Sequence, residues 1–367
     1  MKKISNFLVL NIIFYLYTPI IINGQSKSLT VPYTINIKDT FKNLKPFNLS
    51  RLGSELTYIP LETTAESMIG EIYQVESGNK YIFINETGRL LQFANTGKFI
   101  RQIGSAGRGP EEYTRVLSFC LDTVNKEVYI LSASKKMLTY GFDGTYKYEI
   151  NLGFRPAQVI LKDQNTLMFH LVNAPGQDDP SWILTSKKGV VLTKMKNTVK
   201  RTIQPGYIVM SSPLYRFKGS VHFMEFGVDT IYYFNNNQKK PYASLFMGDL
   251  KMDPNANVKD HRLQAEKLWL NSIVENDGFM FLKFYKGMSN TPVCAVYDKG
   301  ANSVTFIEGN GLKNDIIGGT YFWPEQALKD QRLIGYLDAF DILKREIPAD
   351  LRKKINQTSN PVLMILK

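Results

Sequence analysis

The sequence predicts an all-β protein, a six-bladed β-propeller whose ring is closed by an N-terminal strand pairing with the C-terminal blade. Three observations lead there. Short runs of alternating aromatic and β-branched residues recur along the chain, the turns that separate them repeat at a fixed spacing, and the last unit lacks one strand that an N-terminal segment can supply.

The runs come first. Twenty Tyr, 22 Phe and three Trp are spread through the chain. They fall in segments such as Tyr81-Ile-Phe-Ile84 and Val128-Tyr-Ile-Leu131, bounded by Gly, Asn and Asp, which is the composition of strands. The spacing comes next. Leu91, Phe93, Gly97, Phe99 and Ile103 match Leu138, Tyr140, Gly144, Tyr146 and Ile150, each at an offset of 47 residues. Both segments read as strand, tight turn ending in Gly, and returning strand, because glycine accepts the positive φ of such a turn. Weaker copies turn at Gly189, at Asn237 and at Gly300. The gap before the last copy is lengthened by an insertion near residues 253–268, where Asp253-Pro254 predicts a helix start.

A period in the forties with four strands per unit is the spacing of propeller blades. The predicted blades are 68–104, 116–152, 155–195, 207–248, 268–308 and 320–367. In the last, Arg332–Leu337 reads as a strand, residues 338–355 as helical and Pro361–Lys367 as a strand. Glu55–Leu61 is left to complete that sheet, which removes the exposed edges an open ring would carry. A β-sandwich, the rival architecture, has no need of a 47-residue repeat.

The N-terminus predicts export. Lys2 and Lys3 precede a nearly apolar run of 16 residues, Phe7–Ile22. That is shorter than the roughly 20 residues of a membrane span and fits a signal peptide over residues 1–24, cut after Gly24. An uncleaved anchor helix is the alternative. No cysteine lies near the cut, so lipid attachment there is excluded. Residues 25–54 then form an N-terminal extension, and 55–367 the propeller domain. The expected location is the periplasm or the exterior, not as a lipoprotein, with membrane contact only through the export signal.

Composition narrows the function. The formal charge of +12 is spread along the chain, and its longest basic run is the triplet Arg352-Lys353-Lys354, so a solvated basic surface is expected rather than a nucleic-acid groove. Two cysteines, Cys120 and Cys294, rule out a disulfide scaffold, and no Cys-x-x-Cys spacing suggests zinc or redox chemistry. They fall three blades apart and are expected to remain thiols. His170, His222 and His261 are too few for a histidine-rich metal site, and those in strands read as core histidines. No metal or cofactor is predicted.

Several motifs resemble a known group. Tyr58-Ile-Pro-Leu-Glu-Thr-Thr64, Ile69-Gly-Glu-Ile72, Gly97-Lys-Phe-Ile-Arg-Gln-Ile-Gly104, Gly107-Arg-Gly-Pro-Glu-Glu-Tyr113, Asn314–Pro324 and Asn360-Pro-Val-Leu-Met-Ile365 resemble the exported six-bladed β-propeller family of bacteria, often labelled a domain of unknown function. The blades are similar to those of the NHL and TolB-like propellers. The resemblance covers Ser54–Lys367 and implies fold and compartment; it implies no activity.

The strongest local feature is the link from Gly104 to Arg115, rich in Gly and joining the outer strand of blade one to the inner strand of blade two. Arg108, Glu111, Glu112 and Tyr113 are its candidate ligand-binding residues. Asp315 and Trp323 join them from the equivalent link into blade six, since such crossovers all open on one end of a propeller. A structural reading competes: these charges brace the crossover. The glycine pattern lacks the Lys-Ser/Thr and strand-to-helix context of a phosphate loop. Glu111 and Glu112 are adjacent, so they cannot face one bond as a glycosidase pair does. No Gly-x-Ser-x-Gly elbow occurs. The expected function is an exported binding or scaffold protein of the cell envelope, with carbohydrate, peptide or a partner protein at the channel mouth. The alternative is a metal-assisted lyase or hydrolase.

Overall fold

A computed structural model describes residues 32–367 other than 79, 172–179, 200–211, 236–237, 258, 260 and 290. Blade one is Ile72–Gly78, Tyr81–Glu86, Arg89–Ala94 and Phe99–Gln102, antiparallel in chain order. Blade two is Val116–Asp122, Glu127–Ser132, Lys136–Gly141 and Tyr146–Asn151. Blade three is Pro156–Asp163, Thr166–Leu171, Pro180–Ser186 and Val191–Lys196. Blade four is Leu214–Phe217, Ser220–Met224, Thr230–Asn235 and Gln238–Phe246. Blade five is Leu268–Glu275, Phe279–Lys286, Pro292–Asp298 and Ser303–Ile307. Blade six is Gln326–Ala327, Leu333–Leu337, Val362–Leu366 and, from the other end of the chain, Leu56–Pro60. The first strands of blades one and two, two and three, four and five, and five and six pack on one another around the axis.

The middle strands lie between two blades, so both their faces are covered and their sequences lose the two-residue alternation. Val128, Tyr129, Ile130 and Leu131 are all fully buried. Outer strands face solvent on one side; Val191–Lys196 is almost wholly exposed. The repeated turns have the expected geometry, with φ of +87° at Gly97 and +83° at Gly144. Gly97 also has a second reason to be glycine. A Cβ there would lie 2.1 Å from the Pro60 carbonyl oxygen, so the blade-one turn packs directly on the closing strand.

Ring closure is antiparallel, running from Leu56 opposite Leu366 to Pro60 opposite Val362. Asn360 fixes the seam. Its amide donates to the carbonyls of Glu62 (2.7 Å) and Ser67 (2.8 Å), and its side-chain oxygen accepts from the Ile69 amide (2.8 Å).

Three features differ from the sequence reading. The helix expected at Asp253-Pro254 is a turn, closed by the Asp253 carboxylate on the Asn255 amide, and the helix comes later as one turn, His261–Gln264. The helical stretch of blade six is two single turns, Ala339–Ile342 and Ala349–Arg352, because Pro348 interrupts it. The stretch before Ser54 joins the propeller sheets. Tyr33–Asn36 adds a parallel fifth strand to blade four, and Leu44–Lys45 does so on blade five, with Ile35, Ile37, Phe47 and Leu49 buried beneath. The signal segment, the turn at Asn237 and the start of predicted blade four lie outside the described residues. Among the described residues no helix is long and apolar enough to cross a membrane. Cys120 and Cys294 are free, buried thiols; burial pushes Cys294 up to about 12.

Candidate functional site

The Gly104–Arg115 link does join blade one to blade two, and its side chains divide into two groups. Glu112 turns back on its own loop. Its carboxylate accepts from the Gly109 amide (2.8 Å) and the Ser105 hydroxyl (3.4 Å). It fills the space beside Gly107 where a Cβ would lie 1.9 Å from the carboxylate oxygen. Tyr113 is fully buried and its hydroxyl donates to the Ile103 carbonyl (3.1 Å). These two were expected to meet a ligand; they brace the crossover, because three glycines leave the loop without packing of its own. Glu111 adopts φ of +65°, and its carbonyl accepts a hydrogen bond from Tyr140. The side chains of Glu111 and Arg108 are exposed, and Arg108 has no hydrogen bond or ion pair among the described residues.

In the link into blade six, Asp315 is likewise structural. Its carboxylate accepts from the Ser50 amide (2.9 Å) and hydroxyl (2.6 Å), pinning the N-terminal stretch. Trp323 is half-buried, its ring edge-on to Phe281 at 6.0 Å in the blade five–six packing. Both links open on the same face, and of the five predicted residues that carry a charged or hydroxyl group, Arg108 and Glu111 present theirs free among the described residues.

Residues that the sequence did not single out assemble at the axial mouth of that face. Tyr73, near the start of the blade-one inner strand, is 46% exposed, and the Arg115 guanidinium lies 5.5 Å from its ring. Trp269 and Tyr285, both half-buried, stack at 5.0 Å at the corresponding end of blade five, with Trp269 also packed on Met252 and Ala256. Tyr336 of blade six reaches the Ile72 carbonyl at 3.5 Å. Burial, followed by the charges of Glu325, Asp338 and Glu71, holds its phenol well above the usual range. Glu325 is paired with Lys283 at 2.5 Å. Glu71 and Asp338 are exposed and make no side-chain hydrogen bond or ion pair among the described residues. Partial desolvation beside the blade, with the neighbouring Asp341, raises the Asp338 carboxyl. The mouth thus offers aromatic faces beside free carboxylates, which can stack on rings and accept from hydroxyl or ammonium groups.

Deeper in the channel, Glu76 of blade one accepts from the Gln74 amide at 2.8 Å, and Gln74 in turn donates to the Phe119 carbonyl of blade two at 2.8 Å. Burial raises Glu76 to about 7, against the opposing pull of Gln74 and of Arg216. Arg216 belongs to blade four, so it acts from across the axis. A folded-state pKa above the unfolded value means stability that is full below about 4.5 and is lost as pH rises through about 7. The parent is therefore expected to lose about 2 kcal/mol between pH 5 and pH 8 relative to Glu76→Gln. Denaturant titrations at several pH values check this; parallel pH profiles for the two proteins would refute it.

The strand histidines are core residues. His170 contacts Gln158 Oε1 at 3.1 Å and stacks on Trp182, while His222 lies between the rings of Tyr215 and Tyr233. Burial pushes both down to about 4, so they are neutral at pH 7. No cluster of three or more His, Cys, Asp or Glu suited to a metal ion occurs among the described residues.

Comparison with known proteins places the chain. A putative exported protein of Bacteroides fragilis has a similar structure, with a TM-score of 0.69 at 16% identity over 91% of this chain and 99% of that one. A member of the DUF4221 family from Bacteroides vulgatus aligns with a TM-score of 0.55 at 8% identity, over 86% and 96%. These likenesses are of fold. No curated protein sequence matches. A family model, a domain of unknown function, matches residues 32–367, and the chain belongs to that family, DUF4934.

Proposed function

We propose that this protein is an exported binding or scaffold protein of the cell envelope that holds a carbohydrate or peptide at the mouth of its channel, on the face of the interblade crossovers. The observation that carries this reading is the mouth itself, where Tyr336 stands beside the carboxylates of Glu71 and Asp338, with Tyr73 on the adjoining blade-one strand and the Trp269–Tyr285 stack at the same end of blade five. Exposed apolar side chains on the same face, Met68 (54%), Leu117 (39%), Ile317 (43%) and Phe340 (51%), extend it into a surface able to hold more than one residue of a chain. Export is supported by the basic start and 16-residue apolar run of the sequence, and by the similar fold of a putative exported protein.

The test is a screen of residues 25–367 against glycan and peptide arrays, followed by titration of each hit. Tyr73→Ala and Trp269→Ala are each expected to weaken binding about tenfold through loss of a stacking face. Arg108→Ala and Trp323→Ala probe the flanking crossovers. Hits bound equally by all four variants would place the site elsewhere. Protein recovered from the native envelope should begin near Gln25; intact Met1 in the cytoplasm would refute export.

A further inference from the structure

The opposite face of the ring carries a second concavity. It is a cleft of about 430 Å³ at the closure seam, between blade six and blade one. Two local features create it. The inner strand of blade six is only two residues long, Gln326–Ala327, so the wedge between the blades is left open at this end. The facing positions in blades one and two, Ser77, Gly78 and Thr123, are too small to fill it. Adjacent blades elsewhere are packed through large apolar side chains.

The floor is aliphatic. Ile59, Ile334, Leu363 and Ile365 come from blade six and Ile82 from blade one. The rim is charged, with Lys329, Arg332 and Lys367 against the single carboxylate of Asp330. Lys329 is exposed and has no side-chain hydrogen bond or ion pair among the described residues. Arg332 spends its Nε and one terminal nitrogen on a single oxygen of Asp330, at 2.8 and 2.7 Å. Its other terminal nitrogen remains to meet an anion. Lys367 is held by Glu55 at 2.8 Å. The volume lies in the range of small-ligand sites, which combine an apolar lining with a few placed polar groups.

We propose that this cleft is a binding site for a small amphipathic anion, whose apolar body lies on the isoleucine and leucine floor and whose carboxylate meets Lys329 and Arg332. The site is independent of the channel mouth, being on the other face of the ring. Its two halves are recognised by different physics: the floor by removal of apolar surface from water, the rim by charge-assisted hydrogen bonds.

Isothermal titration with decanoate, and with decanol as its uncharged counterpart, tests both halves. Decanoate is expected to bind with one-site saturation and at least tenfold more tightly than decanol. The double variant Lys329→Ala/Arg332→Ala, at an exposed and a half-buried position outside every core cluster, should lose that tenfold preference while leaving decanol unchanged. Thr57→Trp, on the cleft wall, should weaken both compounds if it melts as the parent does. Equal affinity for decanol and decanoate would overturn the anion chemistry. Decanoate binding unaffected by both variants, or no saturable binding of either compound, would overturn the site.

Discussion

Lys299→Ala is expected to destabilise the protein by about 3–5 kcal/mol at pH 7, on the order of 10 °C in Tm. Lys299 and Glu275 are both buried and form an ion pair at 2.5 Å. Glu275 ends the inner strand of blade five, and Lys299 sits in the turn after that blade's third strand. The carboxylate also accepts from the hydroxyls of Tyr215 (2.8 Å) and Tyr242, both in blade four, while Lys299 donates to the Asn276 carbonyl at 2.7 Å. The cluster therefore joins two blades through one charge pair. Truncating the lysine leaves the carboxylate buried with two phenols and no counter-charge, which is the costly way to break a buried pair. Burial already raises Glu275, with Lys299 opposing. Without the lysine its folded-state pKa climbs further, so the deficit should be largest at neutral pH and shrink below the unfolded value near 4.5, where the carboxyl is protonated in both states. Glu275→Gln added to Lys299→Ala should recover much of the loss, because it removes the orphaned charge. Denaturant unfolding of the single and double variants measures this cycle. A Lys299→Ala protein within 1 kcal/mol of the parent at pH 7 would mean the pair is solvated.

The architecture was legible because a propeller blade is a local repeat. Leu91–Ile103 and Leu138–Ile150 carry the same strand, turn and strand, and the glycine that the turn needs stays at the same place in each. Ring closure followed from counting strands in the last unit. The site was legible only as a face. Whether a loop carboxylate faces ligand or backbone depends on a few ångströms of chain path. Glu112 lost that choice to the Gly109 amide and Asp315 to Ser50. The spacing Gly109-x-x-Glu112 was a signal for such a side-chain-closed turn. The residues at the mouth are a different case. Tyr336 reaches the Ile72 carbonyl, next to Tyr73, only because the ring closes, bringing blade six beside blade one, and nothing local marks either tyrosine as part of the mouth. The parallel strand Tyr33–Asn36 was hidden for the same reason, since its partner lies some two hundred residues away.

Removal of Pro361–Lys367 is expected to abolish folding of the whole ring. Val362–Leu366 is the third strand of blade six and is bonded on both sides, to Leu333–Leu337 and to Leu56–Pro60. Its side chains serve both neighbouring interfaces. Leu363 packs with Ile82, Ile84 and Phe93 of blade one, and Met364 and Leu366 pack with Phe281 and Val296 of blade five. Burial of each aliphatic side chain contributes roughly 1.5–3 kcal/mol, so the five strand residues together approach the roughly 5–15 kcal/mol net stability of a typical domain. Their loss also frees the closing strand and exposes two sheet edges. Leu363→Ala gives a graded version, with an expected cost of about 2–5 kcal/mol. If the ring unfolds as one unit, hydrogen exchange in that variant should rise as much in Leu167–Phe169 of blade three, on the far side of the channel, as in Leu333–Leu337. A truncated chain that melts like the parent would refute closure through this strand. Faster exchange confined to blade six in Leu363→Ala would show instead that the closing blade opens by itself while the other five stay folded.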